Sequence, residues 1–245
     1  MFTRDYGKLL RARLAEPRRV MHVVAGPRQV GKTTLVREVT STLKAGRRVH
    51  FASADEPLLR GHEWLGQQWA IARDAARSAG RAGAVLVLDE IQKVPDWSEA
   101  VKRLWDEDTH AATRLHVVLL GSAPLLIQRG LSESLTGRFE VIHVPHWTFA
   151  EMRDAFGFSI EQYAFYGGYP GAATLVEDEV VWKRYVNDSL IETVLARDVL
   201  QMQPITKPTL LRHLFALAAH FPAQMFSYNK MLGQLTDAGN TVTLA

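Results

Sequence analysis

Residues 26–33 read Gly-Pro-Arg-Gln-Val-Gly-Lys-Thr, and these types at this spacing suit one task, holding a chain of phosphates. In a G-x-x-x-x-G-K-[ST] run the glycines keep side chains out of the way, so that successive backbone N–H groups can wrap an anion. Gly26, Pro27, Arg28, Gln29, Val30 and Gly31 form the loop, and Thr34 closes the run. Lys32 offers a charge to the β- and γ-phosphates and Thr33 a hydroxyl to Mg²⁺. "AVLVLDE", residues 84–90, ends in two acids with separate uses. Asp89 closes a buried strand and can hold the magnesium shell. Glu90 can orient or deprotonate a water beside the γ-phosphate, or it can simply cap the next segment.

Two further residues are candidates for reading the γ-phosphate. Ser122, in "VVLLGSA", ends a strand expected between the two motif strands, where a small polar group reaches phosphate or water; it serves equally as a helix cap beside Pro124. Arg138, in "SLTGRFE", offers a guanidinium in cis or across a subunit interface, or is an ordinary surface arginine; Arg129 is a weaker candidate for the same role.

The elements that must position these residues follow from hydrophobic patterning. Apolar positions Tyr6, Leu9, Leu10 and Leu14 mark a helix over 5–15, stopped by Pro17. "RRVMHVVAG", "RRVHFASAD", "AGAVLVLDE", "RLHVVLLGSA" and "GRFEVIHVPHW" read as strands. Helices are expected at about 32–44, 58–80 and after Asp96, with Asp96 and Glu99 in capping-box spacing, and a short one through Gln128. Strands that are continuously apolar and alternate with helices imply a parallel sheet covered on both faces. After Trp147 the pattern is helical, at about 148–156, 159–166, 179–202 and 207–220. Ser227 then caps a short helix to Leu235, and a turn at Asp237–Asn240 precedes a further helix, the layout of a partial helix-turn-helix or winged helix. The expected domains are 1–150 and 151–245.

Composition bounds the function classes. With 47% hydrophobic and 22% charged residues and no cysteine, the chain is ordinary for a globular protein and has no disulfide or thiolate metal site. No run approaches a membrane span, and no signal peptide is evident, so a cytoplasmic setting without membrane partners is expected. Residues 1–50 hold 12 Lys and Arg against 3 Asp and Glu, whereas both later stretches are acidic. That asymmetry suggests positive charge gathered about the glycine-rich loop. His143 and His146 face opposite sides of a strand, which argues against zinc. Asn229-Lys230 lacks the following aspartate of a guanine-specificity motif, so adenine is preferred.

"GPRQVGKTTL", "LDEIQKVPDW", "GSAP", "LTGR" and "VPHWTFAEM" together resemble a bacterial and archaeal family of predicted AAA-type ATPases whose core precedes a C-terminal domain of unknown function. The later "GGYP", "IETVLARDVL" and "SYNKMLGQLTDAGNTVTLA" resemble the start of that C-terminal part. The resemblance implies ATP and Mg²⁺ bound by Gly26, Gly31, Lys32, Thr33 and Asp89, with Glu90 the catalytic carboxylate. It also implies a longer C-terminal region, with the rest of a winged-helix-like unit and a nuclease-like fold, which makes this chain a truncated form. His146-Trp147 replaces the family's usual Leu-Ser.

The expectation is therefore a P-loop NTPase of α/β class, followed by a mostly helical region. Its function would be ATP hydrolysis that switches that region, with a homo-oligomer among the expected assemblies. Two other readings stand beside it: an ATP-gated DNA-binding module acting through the C-terminal region, and a small-molecule kinase. The acidic balance of residues 151–245 weighs against the first, and Glu90 poised for water weighs against the second.

Overall fold

In the computed structural model, the described residues are 2–43, 46–55, 61–122, 134–195 and 208–222, with isolated positions between 224 and 233. The elements run α1 (Asp5–Ala15), β1 (Met21–Ala25), α2 (Lys32–Ser41), β2 (Arg48–Ser53), α3 (His62–Ala79), β3 (Ala84–Asp89), α4 (Trp97–His110), β4 (Leu115–Gly121) and β5 (Phe139–His143). All strand pairings are parallel, in the order β2-β3-β4-β1-β5. β4, which leads directly into Ser122, therefore lies between the other two motif strands, as the sequence implied.

Alternation along each strand sends side chains to opposite faces, and helices bury both. On one face Met21, Val23, Leu86, Leu88, Val117 and Leu119 pack beneath α3 and α4, which contribute the buried Trp64, Trp69, Trp97 and Trp105. On the other, Val24, Val85, Val87, Val118 and Leu120 meet Leu10 and Leu14 of α1 and Leu35, Val36 and Val39 of α2. Four of the six tryptophans are thus core, at 5% exposure or less.

Beyond β5 come helices Phe149–Phe156, Ile160–Tyr166, Pro170–Ala173 and Glu179–Tyr185, a π-helical turn Val186–Ile191, and helix Pro208–Ala219. Contacts divide the chain into two units, Met1–Trp182 and Lys183–Ala245. In the second unit Arg212 forms a bidentate pair with Glu192, and the Lys230 amide donates to Ser227 Oγ at 3.3 Å. The expected helix through Gln128, and the turn and helix after Leu235, lie outside the described residues, so the helix-turn-helix expectation is not addressed.

One expected cap does not form. Asp96 occupies the N-cap position of α4 but has φ 47° and ψ 29°, and its side chain makes no cap bond. A capping side chain needs extended backbone to reach the N2 or N3 amide, and the left-handed conformation turns it away. Capping boxes instead start Phe149–Phe156, through Thr148 and Glu151, and Ile160–Tyr166, through Ser159 and Gln162.

At the N-terminal end of β4, His116 is buried. Arg47, a donor only, contacts its Nδ1, which must therefore be unprotonated, and Nε2–H donates to the Glu16 carbonyl at 3.1 Å. Burial, followed by the nearby Arg47 charge, lowers the His116 pKa to about 4 from 6.5. The folded state thus prefers neutral imidazole. Its contribution to stability is full above pH 6.5 and is lost as pH falls toward 4, a swing on the order of 3 kcal/mol. Urea midpoints of the parent and His116→Asn between pH 7.5 and 4.5 check this. The parent should lose more stability on acidification than the variant; parallel losses would contradict it.

Candidate functional site

The loop between β1 and α2 uses its two glycines for different reasons. Gly31, the N-cap of α2, has φ 86° and ψ 24°, with open space where a Cβ would stand. Its requirement is conformational. Gly26 has no such backbone; a Cβ there would collide with the Val144 carbonyl oxygen just after β5. Its requirement is proximity, fixed by the Val144 amide donating to the Ala25 carbonyl at 2.8 Å. Gln29 also lies in the left-handed region, at φ 59°. Lys32 is 6% exposed. Its ammonium donates to the Gly26 and Pro27 carbonyls at 2.9 and 2.6 Å.

Because β1, β4 and β3 are adjacent and parallel, their C-terminal ends deliver side chains to this loop. Thr33 Oγ1 donates to Asp89 Oδ2 at 2.8 Å, and the Glu90 amide donates to Asp89 Oδ1 at 3.0 Å. Ser122 Oγ donates to Glu90 Oε2 at 2.8 Å. Thr33, Asp89, Glu90 and Ser122 thus form one hydrogen-bonded chain. Asp89 and Ser122 are buried, at 8% and 4% exposure. Glu90 holds φ 53° and ψ 37°, an uncommon backbone for a non-glycine residue that aims its carboxylate at Ser122.

Gln92, inside the quoted "LDEIQ", was given no role by sequence reasoning. Its Nε2 donates to Glu90 Oε2 and lies 3.4 Å from Ser122 Oγ. A carboxylate only accepts, so the amide nitrogen must face Glu90 and the orientation of the group is settled. Gln92 Oε1 is then left buried without a hydrogen-bond partner among the described residues. Among the described residues no group donates to Glu90 Oε1.

Sequence reasoning also missed the brace on the far side of the loop. Trp147 Nε1 donates to the Val30 carbonyl at 3.0 Å. Arg4, 5% exposed, donates to Glu151 at 2.7 and 3.1 Å and to the Pro145 carbonyl at 3.2 Å, with its guanidinium 5.1 Å from the Trp147 ring. Trp147 in turn donates its amide to the Gly168 carbonyl, and its carbonyl accepts from Tyr163 Oη, at 3.1 and 3.0 Å. These contacts join segments up to 147 residues apart, and only a spacing signal across the whole chain could have revealed them.

Arg138 does not join the cluster. It immediately precedes β5, whose first residue lies opposite Met21 while its last lies opposite Ala25, beside the loop. At about 3.3 Å per residue that places it roughly 16 Å from the loop, at the other end of the sheet. Its guanidinium is committed to Asp106 of α4 at 2.9 and 3.0 Å. The fold therefore provides no cis route from Arg138 to phosphates held by the loop. Arg129 lies outside the described residues. The gathering of positive charge about the loop is likewise corrected: Arg18 and Arg19 precede β1, Arg47 precedes β2 and Arg48 begins it, so all four stand at the end opposite the loop.

Chemically, the loop offers backbone amides, a buried ammonium and a helix N-terminus to an anion. Thr33 Oγ1 and Asp89 present hard oxygen donors already within 2.8 Å of each other, a fit to a magnesium ion shared with phosphate oxygens. A model of an AAA domain matches residues 18–153, and one of a domain of unknown function matches residues 157–244. The uncharacterized proteins Mb2031c of Mycobacterium bovis and Rv2008c of Mycobacterium tuberculosis are each 29% identical over 239 residues. The match covers 93% of this chain and 48% of theirs, so the chain spans about half the length of the curated relatives it matches. Among solved structures, the Walker-type ATPase PabY2304 of Pyrococcus abyssi superimposes with a TM-score of 0.59 at 14% identity, covering 98% of this chain and 84% of that one. At that identity the likeness is one of fold, a parallel sheet of P-loop NTPase type.

Proposed function

The chain belongs to the AAA domain family, and from that premise we propose that it is a magnesium-dependent ATP hydrolase. The observation that carries this reading is the continuous chain from Thr33 through Asp89 and Glu90 to Ser122, assembled at the mouth of the loop. A site that only held a nucleotide would not need a carboxylate next to the metal aspartate, oriented on one oxygen by Ser122 and Gln92 and open on the other.

In this reading Lys32 exchanges its two loop carbonyls for phosphate oxygens, while Gly31 and Gln29 turn backbone N–H groups to the same anion. Thr33 and Asp89 would hold Mg²⁺, which would supply charge neutralisation at the β- and γ-phosphates. Ser122 and Gln92 fix Glu90 through Oε2, and Oε1 takes the proton of the attacking water. Gln92 Oε1 is an acceptor awaiting a donor, and the same water can supply it.

The brace supports a coupling of turnover to the helices that follow. A shift of Val30 on nucleotide binding pulls on Trp147, and through it on Tyr163 and Gly168. Arg138, placed away from its own chain's loop, is assigned to a neighbouring subunit's nucleotide. The hydrolase reading and the trans role of Arg138 are tested by ATP hydrolysis assayed across a protein concentration series, with Mg²⁺ and with excess EDTA. Turnover should require Mg²⁺, its specific rate should rise with concentration, and Arg138→Ala should remove that rise. Metal-independent turnover would sink the hydrolase reading, and a flat concentration series would sink the trans role of Arg138 alone.

A further inference from the structure

The end of the sheet opposite the nucleotide loop carries an arginine before every strand. Arg18 and Arg19 precede β1, Arg47 precedes β2, Arg81 lies just ahead of β3, and Arg114 and Arg138 directly precede β4 and β5. Parallel register makes this one edge. The Arg48 amide donates to the Gly83 carbonyl at 3.2 Å and the Ala84 amide to the Arg114 carbonyl at 2.9 Å, drawing the approaches to β2, β3 and β4 together. A cavity of about 640 Å³ opens there, lined by Arg18, Arg47, Arg81 and Arg114 with His116 and Glu16.

The charge in this cavity is only partly compensated: Asp108 and Asp106 lie close enough to Arg18 to offset some of the cost of its burial, whereas Arg47 has no such carboxylate. Glu16, its one carboxylate, is paired with Arg13 at 3.0 Å. His116 is neutral, for the reasons given above. Arg47 is half-buried, and its contacts among the described residues are to the Leu14 carbonyl and His116 Nδ1, both uncharged. Its Nε is buried and has no partner, and burial alone, with no carboxylate to offset it, works against its charge. Arg18 is held in place by the Leu115, Thr109 and Trp105 oxygens, each at 3.0 Å, and by the Trp105 ring 3.4 Å below it. A half-buried guanidinium without a carboxylate partner stands to gain from an anion whose oxygens its fork can meet.

We propose that this edge is a second anion site and that it takes the phosphodiester backbone of a nucleic acid. Guanidinium forks match phosphate oxygens in pairs. The cavity exceeds a single phosphate, and the row continues beyond it through the exposed Arg19 and Arg48. Four strand starts at about 4.8 Å span roughly 14 Å. That length matches a few successive phosphates of one nucleic-acid strand, enough for several of the lining arginines to be engaged at once. The site lies on the first unit and is separate from the acidic C-terminal stretch where the sequence pointed for DNA.

The test is fluorescence anisotropy with a labelled 20-nucleotide single-stranded DNA, titrated with the full chain at 50 and 200 mM salt. The parent should bind at low salt and weaken steeply at high salt. Arg81→Gln with Arg114→Gln removes two exposed side chains, which leaves the core intact, and should weaken binding at least tenfold and reduce the salt slope by about 2. Lys32→Ala should bind the oligonucleotide as the parent does, because the loop is at the other end. No binding at 50 mM salt, undiminished binding by the double variant, or loss of binding in Lys32→Ala would each overturn the proposal. Binding of inorganic pyrophosphate by the Lys32→Ala protein, without binding of the oligonucleotide, would overturn the backbone assignment and identify a small phosphate ligand.

Discussion

Glu90→Gln should bind ATP as the parent does and hydrolyse it about 10³-fold more slowly. A glutamine at this position keeps the size of the side chain and can still accept from Ser122, which donates to Oε2 at 2.8 Å. It cannot take a proton from water. General-base catalysis contributes roughly 10²–10⁴-fold, and the full amount is at stake when one carboxylate supplies it. Binding should survive because Glu90 is not a donor to the anion; that work belongs to the loop amides and Lys32. The change also places the glutamine amide beside that of Gln92, whose Nε2 loses a charged acceptor, so a modest loss of thermal stability is expected. Single-turnover hydrolysis with a fluorescent-nucleotide binding titration separates the two effects. Turnover within a few-fold of the parent would remove Glu90 from its role.

Gly26→Ala should destabilise the protein strongly for the addition of a single methyl group. The obstacle is the Val144 carbonyl oxygen, which is main chain and cannot rotate aside. Relief requires the end of β5 or the start of the loop to move, and the Ala25–Val144 hydrogen bond at 2.8 Å would break with it. Overpacking of this kind costs up to about 3 kcal/mol. For a chain of this size that lowers the melting temperature by roughly 10 °C. Nucleotide affinity should fall as well, since the loop is displaced at its root. Gly31→Ala provides the contrast. A Cβ there meets nothing within 4 Å, and the cost is only the left-handed backbone at φ 86°, about 1–2 kcal/mol. Equal melting temperatures for Gly26→Ala and the parent would show that the close approach is not real.

The sequence made much of this legible because the chemistry is local. A strand, a glycine-rich turn and a helix fall within twenty residues, and Asp89 and Glu90 end an unbroken apolar run. The order of strands β3, β4 and β1 followed from the need to bring Ser122 between the other two. Of the two routes open to Arg138, in cis or across a subunit interface, a signal against the first was already present. Lys32 and Ser122 follow their strands and Asp89 ends its own, whereas Arg138 precedes its strand, and in a parallel sheet that alone places it at the other end. The same rule accounts for the misread charge of the first fifty residues, since Arg18, Arg19 and Arg47 lie ahead of strands and Arg48 begins one. Asp96 had the right spacing for a cap, but spacing does not report φ. The brace from Trp147 to Val30 joins positions 117 residues apart, and no local pattern contains it.

The strand order has one more consequence. Each of β3, β4 and β1 is paired on both sides, and the two strands with a single neighbour, β2 and β5, carry none of Lys32, Asp89, Glu90 or Ser122 at their ends. Backbone amides of the three inner strands should exchange with solvent only in rare, large openings, while the outer two exchange through local fraying. The residues that handle phosphate are thus anchored in the slowest-exchanging part of the molecule. The outer strands can loosen and re-form many times without disturbing the distances among those residues.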